Sequence, residues 1–269
     1  VPIVSVVMSV YNSADTLEKT IDSVLDQQGV ELEFVVVDDG STDGSGEILA
    51  QRAAGDARLR VLSQANTGLT IALANGCRLA RGKYIARQDA GGDISLPGRL
   101  RDQVEFMRMH ADTVMVAAAT RFVGPDGEPL YLVVQEEGEL SRGLSTLMIP
   151  GLKGPSSHGC TLFSRAAYEQ VGGYRADYVV AQDMDLWLRL FELGPCRTMP
   201  AVLYQARSTP GSISSRLGRK QWMFGAAAVE AAKKRRAGLP EPEFPLKNVR
   251  WSNITGTSRA SELSSLNYF

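Results

Sequence analysis

The chain has 269 residues, 44% of them hydrophobic and 22% charged, with a formal net charge of -1. This is an ordinary soluble composition, enough for one large α/β domain or two small ones, and its near-neutral balance sets nucleic-acid binding aside. Three scattered cysteines, Cys77, Cys160 and Cys196, fit no zinc-ligand spacing and suggest reduced, structural thiols.

Residues 3–10 are an almost unbroken apolar, β-branched run, the pattern of a strand buried on both faces. Tyr11-Asn12-Ser13 interrupts it, and Ser13 or Asn12 is placed to cap a helix carrying Leu17, Ile21, Val24 and Leu25. A second strand, 32–37, empties into Asp38-Asp39-Gly40-Ser41-Thr42-Asp43, followed by a helix with Ile48 and Leu49. Residues 59–62 read as a short strand, and Asn66-Thr67-Gly68 opens a helix with Leu69, Ala72, Leu73 and Cys77 on one face. The strand 84–86 feeds the acidic loop Asp89-Ala-Gly-Gly-Asp93, after which Ser95 and Pro97 start a further helix. Such alternation predicts a parallel sheet with helices on both faces.

Beyond Asp112 the rhythm loosens. Residues 113–122 and 130–134 read as strands about a turn at Gly124–Gly127, 151–155 as a flexible connection and 160–163 as another strand. A strong helix is expected over 183–193, where Leu186, Trp187, Leu190 and Leu193 recur. Residues 208–219, rich in Ser, Gly and Arg, read as mobile, and 221–236 as an amphipathic helix ending in Lys233-Lys-Arg-Arg236. Past Gly238 extended or poorly packed chain is expected. With no linker or internal repeat, the looser half should complete the same sheet. No apolar stretch approaches the ~20 residues of a membrane span, and the first residues lack a basic leader, so a cytoplasmic protein is expected.

The acidic turns carry the chemistry. Asp89 and Asp93, at the end of a parallel strand, offer hard oxygen ligands to Mg²⁺ or Mn²⁺ beside a phosphate; alternatively they bound a Gly-Gly loop in which Asp93 caps a helix. At Asp38-Asp39 a carboxylate can accept the N3–H of uracil, or else organise the turn and cap the next helix. Asp183 is read as a general base, against the alternative of an acidic residue favoured by the helix dipole, and Asp185, beside Leu186 and Trp187, as structural. His158 is a candidate contact to metal, phosphate or acceptor, or an ordinary loop histidine; His110 ends a helix, where a cation is favourable. Arg207, Arg216, Arg219 and Lys220 either close over a diphosphate or stay solvated. The first turn has no GxGxxG, which disfavours a nicotinamide or flavin cofactor.

In this order the motifs resemble the family 2 inverting glycosyltransferases of the GT-A fold. The resemblance runs through Val6-Val-Met-Ser-Val-Tyr11-Asn12, Val36-Val-Asp38-Asp39-Gly-Ser-Thr-Asp43, Asn66-Thr-Gly68-Leu, Ala80-Arg-Gly-Lys-Tyr-Ile-Ala-Arg-Gln-Asp89, Gly172-Gly-Tyr174 and Gln182-Asp-Met-Asp-Leu-Trp-Leu-Arg189. It implies an α/β fold with a mostly parallel central sheet flanked by helices. A GT-A domain would cover 1–207, with a nucleotide-sugar half over 1–112 and an acceptor half over 113–207. A C-terminal segment, helix and tail would occupy 208–269. The implied activity moves a sugar from a nucleotide-sugar donor, commonly a UDP-sugar, to a hydroxyl acceptor in polysaccharide, cell-envelope or glycolipid synthesis.

By that resemblance Val10 and Tyr11 line the base pocket, and Asp38 or Asp39 reads the base. Asn12, Asn66, Gly68 and Asp89 complete the donor site. The family's metal motif corresponds to Asp89 and Asp93, with His158 added as a third candidate ligand, and the catalytic base to Asp183. The acidic loop departs from the family's usual Asp-Ala-Asp-Asp or Asp-Ala-Gly-Asp by an extra glycine before Asp93, which leaves open which aspartate meets the ion. A nucleotide-sugar-binding protein without catalysis and a nucleotidyltransferase are the alternatives. The basic end of the last helix permits peripheral contact with an anionic membrane.

Overall fold

The apolar run at the amino end is strand β1 (Val4–Val10), inside a mixed sheet in a computed structural model that describes residues 2–148, 152–209 and 218–242. It pairs in parallel with β2 (Leu32–Asp38), from Val4 opposite Leu32 to Val10 opposite Asp38, and β2 pairs in parallel with β3 (Leu59–Ser63). On its other side β1 pairs in parallel with β4 (Tyr84–Arg87), from Val4 opposite Tyr84 to Val7 opposite Arg87. These pairings put the carboxyl ends of β1, β2 and β4, and the polar turns that follow them, on one rim of the sheet.

The period-2 alternation of β1 divides its side chains between two cores. Val4, Val6, Met8 and Val10 pack with Leu17, Ile21 and Val24 of α1 (Ala14–Leu25), Leu49 of α2 (Ser45–Gly55) and Leu100 and Val104 of α4 (Arg99–Met109). Val7 faces the other way, toward Leu73 and Cys77 of α3 (Leu69–Leu79). All three cysteines are buried and free.

The second half turns the sheet antiparallel. Strand β8 (Thr161–Ser164) lies against β4, and β6 (Met115–Val123) against β8. Strand β7 (Pro129–Val133) forms a hairpin with β6. The periodicity did not predict β9 (Cys196–Arg207), a long strand parallel to β6, nor the two-residue β5 (Ile94–Ser95) that pairs with it. Pro200 masks β9 in the sequence: the register jumps from Ala118 opposite Met199 to Ala119 opposite Val202, so the proline sits in a bulge where no ladder N–H is needed. Ser95 therefore ends a strand, and α4 starts at Arg99, later than Pro97.

Two short helices, α5 (Glu139–Thr146) and α6 (Arg165–Gln170), also went unpredicted. The expected helix after residue 182 is α7 (Gln182–Phe191), and the last is α8 (Gly218–Arg236). Leu186, Trp187 and Leu190 of α7 share a core with Ala226, Ala228, Val229 and Ala232 of α8. Among the described residues no helix is long and apolar enough to cross a membrane. Arg216 and most of the proposed mobile segment lie outside the described residues, as does the chain beyond 242.

Candidate active site

The first two turns on the rim lock each other. Asn12 stands at a left-handed φ of 49°, which brings its Oδ1 to the Thr42 N–H at 2.8 Å while its own N–H donates to Ser41 Oγ at 3.1 Å. Ser13 occupies the N-cap position of α1 without a side-chain capping bond. The cap comes instead from the neighbouring loop: Asp43 Oδ2 accepts the Ala14 N–H at 2.9 Å, and this bond leads the causes that lower the Asp43 pKa. Tyr11 is left 52% exposed beside the buried Val10, an aromatic face open to a planar ligand.

The adjacent aspartates divide their work. Asp38 Oδ1 accepts the Ser41 N–H at 3.0 Å. Asp39 ties the end of β2 to the loop before α3: Oδ1 accepts from Gln64 Nε2 at 2.8 Å and the Thr67 N–H at 2.9 Å, and Oδ2 from the Gly68 N–H at 2.8 Å. Gly40, at φ 77°, passes so close that a Cβ there would lie 2.8 Å from the Asn66 nitrogen. Asn66 and Gly68 thus join Asp39 on the same rim, with Asn66 exposed.

The acidic loop is held from below by a buried polar cluster. Arg87, fully buried, donates to the Val7 carbonyl, to Asp89 Oδ1 at 2.8 Å and to His158 Nε2 at 3.3 Å. Arg99, equally buried, donates to the carbonyls of Arg87 at 2.8 Å and Gly159 at 2.6 Å and to Ser95 Oγ at 2.7 Å. Gln88 Nε2 reaches the Asp93 carbonyl at 3.0 Å. These bonds satisfy charges that burial would otherwise make costly. Sequence reasoning passed over Arg87, Arg99 and Tyr204; Arg87 stood inside the quoted Ala-Arg-Gln-Asp motif, where a charge at the end of a buried strand was the available signal.

The two loop aspartates differ. Asp89 keeps a third of its side chain exposed and has no hydrogen bond to Oδ2 among the described residues. Asp93 is buried, with Oδ2 accepting from the Tyr204 hydroxyl at 2.9 Å and Oδ1 from the Arg207 N–H at 2.9 Å. Burial first, and then the charge of Asp89, pushes Asp93 up to about 7. His158 is buried with Nε2 against the Tyr174 hydroxyl at 2.7 Å and the Arg87 cation, and desolvation followed by Arg87 pushes its pKa well below the ordinary value.

Asp183 is the second residue of α7, two places after the N-cap Ala181, which sits at a left-handed φ of 55°. Its Oδ1 accepts the Met184 N–H at 2.8 Å. Desolvation is the main cause that raises its pKa; the charge of Asp89 also raises it and that of Arg87 lowers it, so base, acidic loop and buried arginine share one electrostatic site. Asp185 lies behind, 1% exposed and paired with Arg189 in the helix's interior, which makes it structural.

Asp93 and His158 do not fit as ion ligands. Both Asp93 oxygens are committed to β9, and the buried His158 turns Nε2 to the Tyr174 hydroxyl and the Arg87 cation. Among the described residues no three His, Cys, Asp or Glu side chains gather as a metal cluster. Asp89 alone fits, in the manner of an ion held by one carboxylate and completed by substrate phosphate oxygens. The basic groups also separate. Arg207 lies along Gly92 and donates to the Pro125 carbonyl, whereas Arg235 is paired with Glu192 at 2.8 Å, which neutralises part of the basic helix end. Lys220 stands over the Phe224 ring at 5.7 Å. His110 follows α4 and lies 4.4 Å from the Phe106 ring, centroid to centroid, as a helix-end residue.

A polar rim on parallel strands, with an acidic loop and a separate carboxylate at a helix start, is the layout of a sugar-nucleotide enzyme. The sequence profile of glycosyl transferase family 2 matches residues 5–172, and the chain belongs to that family. It is 35% identical over 200 residues to EpsE of Bacillus subtilis (strain 168), named as a glycosyltransferase, covering 72% of this chain and 68% of that one. TuaG of the same organism, named as a teichuronic acid biosynthesis glycosyltransferase, is 31% identical over 229 residues, covering 82% of this chain and 86% of that one. Hyaluronan synthase of Pasteurella multocida is 29% identical over 205 residues, covering 76% of this chain but only 20% of the synthase. In three dimensions S. aureus TarS 1-349 in complex with UDP-GlcNAc aligns at a TM-score of 0.65 and 16% identity, covering 93% of this chain and 77% of that one. The fold is thus GT-A, as expected: an α/β fold with flanking helices, its sheet parallel from β3 to β4 and mixed beyond.

Proposed function

We propose that this glycosyltransferase takes a UDP-sugar and transfers the sugar, with inversion, to a hydroxyl acceptor in envelope polysaccharide synthesis. The observation that carries the reading is Asp183, a carboxylate at a helix start whose pKa is raised within the electrostatic reach of Asp89. A base of that kind takes the acceptor's proton as its oxygen attacks the anomeric carbon from the face opposite the diphosphate. The bond to the diphosphate breaks, and UDP leaves with the electron pair.

Residues up to 112 form the donor side in this reading, and 113–207 the acceptor side. Uracil lies against Tyr11, Val10 itself being buried in the core, with its N3–H accepted at the Asp38-Asp39 turn, and the ribose and diphosphate run past Asn12, Asn66 and Gly68 toward Asp89. A divalent ion, Mg²⁺ or Mn²⁺, held by Asp89 and the diphosphate would supply charge neutralisation to the leaving group. Arg87 holds Asp89 in place from beneath the loop, and α7 presents Asp183. The relatives support the donor class: TarS has been crystallised with UDP and with UDP-GlcNAc.

Isothermal titration with UDP, CDP, GDP and ADP in the presence of Mn²⁺, followed by product analysis with a panel of UDP-sugars, tests this. UDP binding and release of UDP with sugar transfer are expected. Failure to bind any nucleoside diphosphate would overturn the donor assignment, and release of pyrophosphate would indicate nucleotidyl transfer instead.

A further inference from the structure

The lengthened acidic loop is closed across one hydroxyl. Tyr204, fully buried on β9, donates its O–H to Asp93 Oδ2 at 2.9 Å and accepts the Asp89 N–H at 3.2 Å. A single phenol hydroxyl serves both bonds, its proton going to Asp93 and its oxygen lone pair to the Asp89 N–H, and the two ends of Asp89-Ala-Gly-Gly-Asp93 meet on it. The Tyr204 ring is itself fixed. Arg99 lies 4.8 Å over its face, and Gly159 comes so near that a Cβ there would stand 1.9 Å from the hydroxyl oxygen. Asp93 is anchored a second time by the Arg207 N–H, also on β9, and its carbonyl is held by Thr20 Oγ1 at 3.0 Å and Gln88 Nε2 at 3.0 Å. Asp89, by contrast, has its backbone held at the N–H by Tyr204 and at the carbonyl by Gln88 Nε2 at 3.2 Å, and its side chain by Arg87, while Gly91 has open space where a Cβ would stand.

We infer that Tyr204 is a positioning residue for Asp89, acting with Asp93 as a clasp that fixes the acidic loop, and that Asp93 serves the loop rather than the ion. The two glycines leave the loop free to adopt many conformations, and a backbone hydrogen bond at Asp89 removes that freedom at the residue that faces the donor. Outer partners of this kind commonly change metal affinity 10–100-fold. The inference rests on the proposed donor reading for its consequence, though not for the clasp itself.

Tyr204→Phe tests it, because the ring and its packing on Arg99 remain while both hydrogen bonds go. Amide hydrogen exchange without any ligand should quicken across 88–94, and the affinity for UDP with Mn²⁺ should fall about tenfold. In turnover the donor KM should rise while the acceptor KM stays put, a split that a merely structural role would not give. Asp93→Asn provides the second test: Mn²⁺ binding followed by electron paramagnetic resonance should fall no further than in Tyr204→Phe, with the same quickened exchange. Unchanged exchange in Tyr204→Phe would overturn the inference. So would loss of Mn²⁺ binding in Asp93→Asn with loop exchange unaltered, since Asp93 would then be a ligand. A wild-type chain that binds no nucleoside diphosphate, with exchange still faster in Tyr204→Phe, would remove the donor reading and leave the clasp standing.

Discussion

The two halves of the sheet place their functional groups by different means. From β1 to β4, parallel register sets three strand ends on one rim, and contacts between the neighbouring turns it brings together do the rest, as in Asp43 capping α1. From β6 to β9, the groups that matter come from far apart in sequence: Asp93 meets Tyr204 across 111 residues, and Arg87 meets His158 across 71. The first half builds a site by repetition and the second completes it by long-range contact. Donor recognition and chemistry should therefore be separable by mutation, the former lying in the repetitive half and the latter across the junction.

The largest expected effect breaks that comparison at the junction. Asp183→Asn keeps the volume and the bond from the Met184 N–H, but removes the base. Transfer, or slow donor hydrolysis to UDP and free sugar, should fall about 10²–10⁴-fold. UDP affinity by calorimetry should change little, because no donor-binding residue is touched. Comparable losses in both measurements would place Asp183 in the donor site and erase the division.

How much of this was legible depends on range. The strands and turns of residues 3–87 follow from local pattern, because each strand is flanked by its own turn residues and each helix shows one apolar face. Asp38, Asp89 and Asp183 were visible as carboxylates at element ends for the same reason. What stayed hidden was every feature fixed by a distant partner. Pro200 disguised β9, and without β9 neither Tyr204 nor the burial of Asp93 can be foreseen. His158 has the chemistry of a ligand in sequence, but Arg87 at the end of β4, 71 residues away, donates to its Nε2. The cap of α1 was sought in Ser13 and Asn12, whereas the capping oxygen comes from Asp43, 29 residues on.

A second, smaller effect is the position of the acid limb of the pH–rate profile. The base must be ionised, and desolvation holds the Asp183 pKa above the ordinary carboxylate value of 3.8. Activity should thus fall as pH drops through a midpoint displaced upward from that value, while UDP binding keeps its own profile. Arg87 opposes the shift, so Arg87→Met should move the acid limb to still higher pH, since one stabilising cation has gone. A limb that stays in place in Arg87→Met would mean that the cation is screened from the base.

The smallest effect concerns stability, and it contrasts the halves directly. Asp39→Ala leaves the Thr67 and Gly68 N–H groups without their carboxylate partner where β2 hands over to the loop before α3. Hydrogen bonds to a charged group contribute about 1.5–3 kcal/mol, so a loss of about 2 kcal/mol is expected, and a fall in melting temperature of roughly 4–8 °C for a chain of this size. Leu132→Ser on β7 removes a side chain already 54% exposed and should stay within about 0.5 kcal/mol. Calorimetric melting of both variants checks the pair. The turns of the parallel half carry the stability because their side chains bridge successive strands, whereas β7 joins the sheet through β6 alone. Equal melting temperatures for the two variants would show that Asp39 is held for its ligand and contributes little to the fold.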